Sequence, residues 1–199
     1  MTSDLFEQAD AATPLGEEER MALIPSLSTR AELNQFERLN INAARVWAMR
    51  RSVLRRTDLL SDTFARELHR RMFNQVWKWA GKYRTSEKNL GWEVPRLAEG
   101  VRNAFDDARA WLEHATYRLP EAAVRLHHRL VLIHPWSNGN GRHSRLIADI
   151  IIASRGGAEL TWGARQDLVA SGEIRQRYIN AVRQADQGHF APLIAFAQS

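Results

Sequence analysis

The chain of 199 residues contains no cysteine, which excludes disulfides and thiolate zinc sites and makes a reducing cytoplasm the expected compartment. Lysine is almost as scarce, at Lys78, Lys82 and Lys88 only, so arginine carries nearly all of the basic charge. Long apolar runs are missing as well. The strongest, Leu146 to Ala153, is interrupted by Asp149 and falls far short of the roughly 20 residues that a bilayer span requires, so no membrane association is expected. Nothing near Met1 has the charged and apolar blocks of a signal peptide. Internal repeats, low-complexity tracts and interdomain linkers are absent too.

What is present suits one folded unit. Hydrophobic residues make up 44% of the chain and include seven Trp and seven Phe, enough for a single packed core at this length. The formal charge of +5 comes from 28 Lys and Arg against 23 Asp and Glu. Guanidinium groups pair well with phosphate oxygens, but arginine also simply fills exposed helix faces. Direct nucleic-acid binding is therefore not expected from charge alone.

Periodicity assigns most of the chain to helix. Residues 1–28 read as an acidic N-terminal arm, with Pro14 and Gly16 ahead of Glu17, Glu18 and Glu19. Thr29 and Glu32 have capping-box spacing, and a helix over about 30–50 follows. In it Leu33, Phe36, Leu39, Ala43, Val46 and Trp47 recur every three or four residues, predicting an apolar face turned to the core. Phe64, Leu68, Met72, Val76 and Trp79 predict a second core helix that Gly81 stops. From Tyr83 to Pro95 the period disappears, and Lys88, Asn89, Leu90 and Gly91 suit the turn of a short β-hairpin. Helices return over Arg96–Glu113 and from Pro120 to Ile133. Others follow after Arg142, around Gln166–Val169 and across Glu173–Asp186, with a closing segment at Phe190–Phe196. The expected class is all-α with one hairpin.

Between two of these helices lies His134-Pro135-Trp136-Ser137-Asn138-Gly139-Asn140-Gly141-Arg142-His143-Ser144-Arg145. Gly139 and Gly141 let backbone amides approach a ligand closely, and the amides at a helix start have no partners within the helix, so the segment is a candidate anion cradle. Arg142 and Arg145, three residues apart, can face one polyphosphate. His134 at the other end of the loop is the side chain suited to take a proton from a hydroxyl near neutral pH.

The segment resembles the signature of Fic-domain proteins: His-Pro-Phe, any residue, Asp or Glu, Gly-Asn-Gly-Arg, two residues, Arg. His134, Gly139, Asn140, Gly141, Arg142 and Arg145 match it, and Trp136 replaces the usual Phe. Trp79 to Arg84 with Lys88 to Gly91 is similar to the stretch that leads into the family's target-docking flap. Tyr178 to Ala181, Ala185-Asp186 and Pro192 to Ile194 are similar to its closing helices. The resemblance implies a Fic-type helical bundle over 29–199 that binds ATP through Asn138 to Arg142 and Arg145. It further implies transfer of AMP to a Ser, Thr or Tyr hydroxyl of a target protein, with His134 as base and Mg²⁺ carried by the phosphates. Asn138 stands where the family has a metal-binding Asp or Glu, and an amide is the poorer ligand for a hard dication.

The family's inhibitory helices carry Ser or Thr, three residues, then Glu followed by Gly or Asn, a position that Leu33 takes here with Asn34 one residue later. Ser28 and Glu32 fit that spacing in a helix over 29–50, and the resemblance implies an ion pair from Glu32 to Arg145. The whole chain most resembles the Fic-domain family named mobile mystery protein B, which implies a DNA-binding partner protein. Two alternatives stay open: a catalytically weak binding protein on the same fold, and a phosphotransferase using the same site.

Overall fold

The computed structural model describes residues 15–163 and 172–199. Nine helices are found there: α1 (Glu17–Met21), α2 (Arg30–Ala48), α3 (Arg51–Arg56), α4 (Asp62–Phe73), α5 (Leu97–Glu113), α6 (Leu119–Ile133), α7 (Asn140–Ser154), α8 (Glu173–Asp186) and α9 (Ala191–Ala197). A single 3₁₀ turn, Val94–Arg96, leads into α5. The anticipated helix around Gln166–Val169 lies outside the described residues, as does the first half of the arm.

α6 and α7 form the central pair. α7 is apolar almost all round, with Leu146, Ile147, Ala148, Ile150, Ile151 and Ile152 all buried, as a helix covered on every side must be. One core cluster joins Leu146, Ile147, Ile150 and Ile151 to Phe64, Leu68, Met72 and Phe73 of α4, to Val101 and Phe105 of α5 and to Leu126 and Leu130 of α6. A smaller cluster packs Ala148 and Ile152 against Tyr178, Ala181, Leu193 and Phe196 of the closing helices. The loop from His134 to Gly139 connects the two central helices, so its ends are held by the best-buried part of the molecule.

α2 departs from the expected orientation. Its start is a capping box: the Thr29 hydroxyl accepts from the Glu32 amide, and the Glu32 carboxylate accepts from the amides of Thr29 and Ser28. Yet the buried face is Leu33, Glu37, Asn40, Ala44 and Ala48, whereas Phe36, Leu39 and Val46 are exposed. Polar contacts explain the rotation. Asn40 donates to the Arg71 carbonyl at 2.8 Å and accepts from the Gln75 amide at 3.0 Å. Arg45 pairs with Asp149 of α7 at 3.2 Å and with Glu159. A buried polar group without a partner is costly, and these contacts set the face that turns inward.

α4 also ends earlier than its periodicity suggests, at Phe73 rather than near Gly81. The chain beyond is drawn to the N-terminal segment, where Ile24 donates to the Val76 carbonyl, Lys78 donates to the Ala22 carbonyl and Leu23 bridges antiparallel to Trp77. It then doubles back onto α4 at Gly81 (φ +79°), where a Cβ would lie 2.7 Å from that of Arg70, a turn that only glycine accommodates easily.

Candidate active site

The loop between α6 and α7 is fastened from below by side chains whose hydrogen bonds are all internal. Trp136, 1% exposed, stacks on His69 at 4.2 Å between ring centroids and donates its indole N–H to Nδ1 of His143 at 3.3 Å. Nδ1 of His69 accepts from the Gly81 amide, so Nε2 carries the proton and donates to the Asn138 carbonyl at 3.1 Å. Nε2 of His143 likewise donates to the Ala65 carbonyl at 2.9 Å. The Asn140 side chain is turned inward and staples the loop: its oxygen accepts from the Trp136 amide at 2.9 Å and its nitrogen donates to the Trp136 carbonyl at 2.8 Å. Asn140 can therefore meet an anion only through its backbone amide.

His134 caps α6 in the left-handed conformation (φ +54°, ψ +56°), uncommon for a residue with a Cβ. Its surroundings enforce it. Arg84, with no side-chain exposure, donates to the carbonyls of His134 (2.9 Å), Ser86 (2.8 Å) and Trp92, while its own amide donates to the Pro135 carbonyl. Gly91 (φ +95°) passes so close that a Cβ there would sit 2.5 Å from the Cβ of His134. Burial lowers the imidazole pKa to about 4, with smaller pushes from Arg84 and Lys88 against a backbone hydrogen bond at Val131. The ring is thus neutral at physiological pH and able to accept a proton.

At the other end, Gly139 (φ +80°) caps α7 and lies on the Phe73 ring, which a Cβ would meet at 2.3 Å. The first helical hydrogen bond runs from the His143 amide to the Gly139 carbonyl, so the amides of Asn140, Gly141 and Arg142 have no acceptor within the helix. Positive partial charge gathers there. Arg142 and Arg145 extend from this first turn into one cavity of about 290 Å³, lined also by Ile41, Asn42, Arg45 and Trp162. Arg145 lies over the Tyr178 ring at 5.3 Å, and the Tyr178 hydroxyl shares a 3.1 Å hydrogen bond with His127.

Arg142 already has an anion. Glu37, 2% exposed on α2, pairs with it at 2.5 Å. The same carboxylate accepts from the Trp77 indole at 2.7 Å and from the Asn138 amide at 3.3 Å. The ion pair anticipated between Glu32 and Arg145 is not formed, because Glu32 caps α2 at the surface with Ser28 and Thr29. The glutamate that reaches the loop comes one and a half turns later, and its partner is the other arginine. Asn138 fits this arrangement: its Nδ2 donates to Glu37 while its Oδ1 accepts from the Gly139 amide at 2.7 Å. A carboxylate in its place would repel Glu37.

The segment expected to form a hairpin does not. No strand is present among the described residues, and beyond Lys88 the chain runs through bends at Asn89, Leu90 and Gly91. Their neighbours bond outward to the α6–α7 loop and the end of α6 instead of across to each other: Arg84 to Pro135, Trp92 to the Ile133 carbonyl. Glu19 of α1 pairs with Lys88 and accepts from the Ser86 hydroxyl at 3.1 Å, which pins the arm to one end of the segment, while Asn89, Leu90 and Gly91 are exposed.

A divalent ion finds little to hold it. No group of three or more His, Cys, Asp or Glu side chains converges among the described residues. Near the loop, the Glu37 carboxylate is committed to Arg142 and the Asn138 oxygen to a backbone amide. The residues present do not make a metal site by themselves.

The four perturbed histidines make fold stability acid-sensitive. Burial lowers His143 to about 4, like His134, and holds His69 and His127 well below the ordinary imidazole range. The unfolded chain takes up these protons near pH 6.5 and the folded chain does not. Their contribution is therefore complete above about pH 6.5 and is lost as pH falls toward 4. By pH 5, His134 and His143 alone should remove about 4 kcal/mol, at about 1.4 kcal/mol per pH unit for each group. Urea midpoints from pH 8 to 5 test this: a steep decline below about 6.5 is expected, and a flat profile would contradict neutral burial.

A Fic/DOC family model matches residues 59–152, which run from the start of α4 to most of α7 and include the whole loop. Protein adenylyltransferase fic-1 of Caenorhabditis briggsae is 30% identical over 134 residues, 65% of this chain and 25% of that one. The chain thus spans about a quarter of the length of the curated relatives it matches. Among solved structures, Fic-1 (residues 134–508) of C. elegans superposes with a TM-score of 0.65 at 23% identity, covering 91% of this chain and 52% of the other. BepC of Bartonella tribocorum, with bound AMPPNP, superposes with a TM-score of 0.66 at 14% identity, covering 92% and 97%. The match over the loop and its flanking helices identifies residues 59–152 as a Fic/DOC family domain, and the surrounding bundle is similar in fold to solved Fic structures.

Proposed function

We propose that this chain is a protein adenylyltransferase that moves AMP from ATP to a Ser, Thr or Tyr hydroxyl of a target protein. The observation that carries the reading is the pairing, across one short loop, of a neutral, half-buried histidine with a helix start that offers backbone amides and two arginines. The names of relatives such as the C. briggsae adenylyltransferase support it.

In this mechanism the triphosphate lies on the amides of Asn140, Gly141 and Arg142, with the guanidinium groups of Arg142 and Arg145 balancing its charge. His134 accepts the hydroxyl proton as the oxygen bonds to the α-phosphorus. The bond to the β-phosphate oxygen breaks, and pyrophosphate departs. Orientation and fixed charge supply most of the acceleration. Mg²⁺ bound to the phosphates would neutralise their charge; the described residues present no carboxylate set to hold it, and Asn138 would offer at most an amide oxygen. Lys88 to Gly91 dock the target. The cytoplasm is the proposed compartment, and a DNA-binding protein remains the proposed partner.

In the conformation described, Glu37 holds Arg142, so the chain rests in a silent state. This also favours the second reading, a Fic-fold protein that binds without turnover. Incubation with each nucleoside triphosphate, followed by intact mass, separates the readings. An added AMP supports nucleotidyl transfer, an added phosphate supports phosphotransfer, and no adduct even when Glu37 is removed supports binding alone.

A further inference from the structure

α2 is amphipathic twice over. Its inner face, Leu33, Glu37, Asn40, Ala44 and Ala48, packs on the molecule. Its outer face carries Phe36, Leu39, Ala43 and Val46, with Phe36 at 44%, Leu39 at 63% and Val46 at 66% exposure, and Ala43 exposed beside them. No described part of the chain covers them. Scattered exposed apolar residues need no explanation, but a continuous row of large ones marks an interaction surface.

The row has the spacing of a coiled-coil seam. Steps of three, four and three from Phe36 to Val46 are those of alternating a and d positions in a heptad. The row is also symmetric about Ile41: Phe36 and Val46 lie equally far on either side of it, and so do Leu39 and Ala43. Only an antiparallel copy of the same helix uses that symmetry. It sets Phe36 against Val46 of the partner subunit and Leu39 against Ala43 of the partner subunit, filling each gap on one helix with a side chain of the other.

Charge selects the same orientation. Exposed Glu32 lies near the start of α2, and exposed Arg50 and Arg51 lie just past its end. Glu32 and Arg50 are again equidistant from Ile41. Antiparallel docking places each Glu32 beside Arg50 of the partner subunit and opposes the two helix dipoles. Parallel docking would bring like charges together at both ends.

We infer that a second copy of this chain docks antiparallel along the outer face of α2 to give a two-fold dimer. The seam is about 15 Å long and has four contact residues per copy, so it buries less than the 1,200–2,000 Å² typical of a permanent interface. The expected dimer forms reversibly in the micromolar range.

Sedimentation velocity over low to high micromolar concentrations tests this on the full chain. The native protein should pass from monomer to dimer, and Leu39→Glu and Val46→Glu should each hold it monomeric with an unchanged helical spectrum, since both side chains are exposed. The absence of cysteine allows a second test of register. When Leu39→Cys and Ala43→Cys chains are mixed and oxidised, the mixed disulfide should exceed either like pair. A monomer at every concentration, a dimer indifferent to both glutamate variants, or preferential linkage of the Leu39→Cys chain to its own copy would overturn the inference.

Discussion

Glu37→Gly is expected to raise the initial rate of AMP transfer about ten- to hundred-fold, read as pyrophosphate released from ATP. The physical reason is the 2.5 Å ion pair that occupies Arg142. A charge-assisted hydrogen bond of this kind contributes about 1.5–3 kcal/mol, and a phosphate must displace it before Arg142 can act on the nucleotide. Removing the carboxylate leaves Arg142 free, still resting on the Phe73 ring at 5.0 Å. The Trp77 indole and the Asn138 amide lose an acceptor in the same step. A lower melting temperature should therefore accompany the faster reaction. Faster turnover with reduced stability is the outcome particular to a lock, and reduced stability with an unchanged rate would refute it. Glu32→Gly is the natural comparison, because it removes only the carboxylate that caps Ser28 and Thr29 at the surface and should leave the rate as it was.

His134→Ala is expected to lower transfer by about 10²–10⁴-fold, the range for loss of a positioned general base. The substituted chain should still bind ATP, since the amides of α7 and both arginines are untouched. The pH profile adds a sharper expectation. With its pKa near 4, His134 is unprotonated throughout the accessible range. The native enzyme should thus show no acid limb near pH 6.5, and kcat at pH 6 should equal that at pH 8. A midpoint near 6.5 would mean that the ring is solvated in the working enzyme and not buried as described.

The central loop is legible in the sequence because its chemistry is local. Gly139, Gly141, Arg142 and His134 lie within one short segment, and the roles proposed for them depend on a helix start that the neighbouring apolar run of α7 makes plain. The capping box at Thr29 and Glu32 is readable for the same reason. Glu37 is not: its importance depends on which face of α2 turns inward, and periodicity points to Phe36, Leu39 and Val46. Three polar anchors, Glu37, Asn40 and Arg45, outweigh that apolar row, and their partners lie 31 to 114 residues away in the chain. A lone glutamate on the same face as Leu33 and Asn40 is the available signal.

Arg84 and His69 are hidden similarly, since each acts by satisfying carbonyls or amides brought near only by the fold. Lys88 to Gly91 have hairpin composition, but their neighbours' backbone partners belong to the catalytic loop. Turn propensity alone cannot reveal that competition. The exposed row on α2 follows from the same rotation of the helix, and it becomes informative only once that orientation is known.

The most direct test is pyrophosphate release and intact mass measured together on Glu37→Gly and on the Glu37→Gly/His134→Ala double variant, each with ATP and Mg²⁺. An AMP adduct and stoichiometric pyrophosphate are expected from the first and neither from the second. Equal release from both, or none from either while ATP binding persists, would contradict transfer driven by His134 and held back by Glu37.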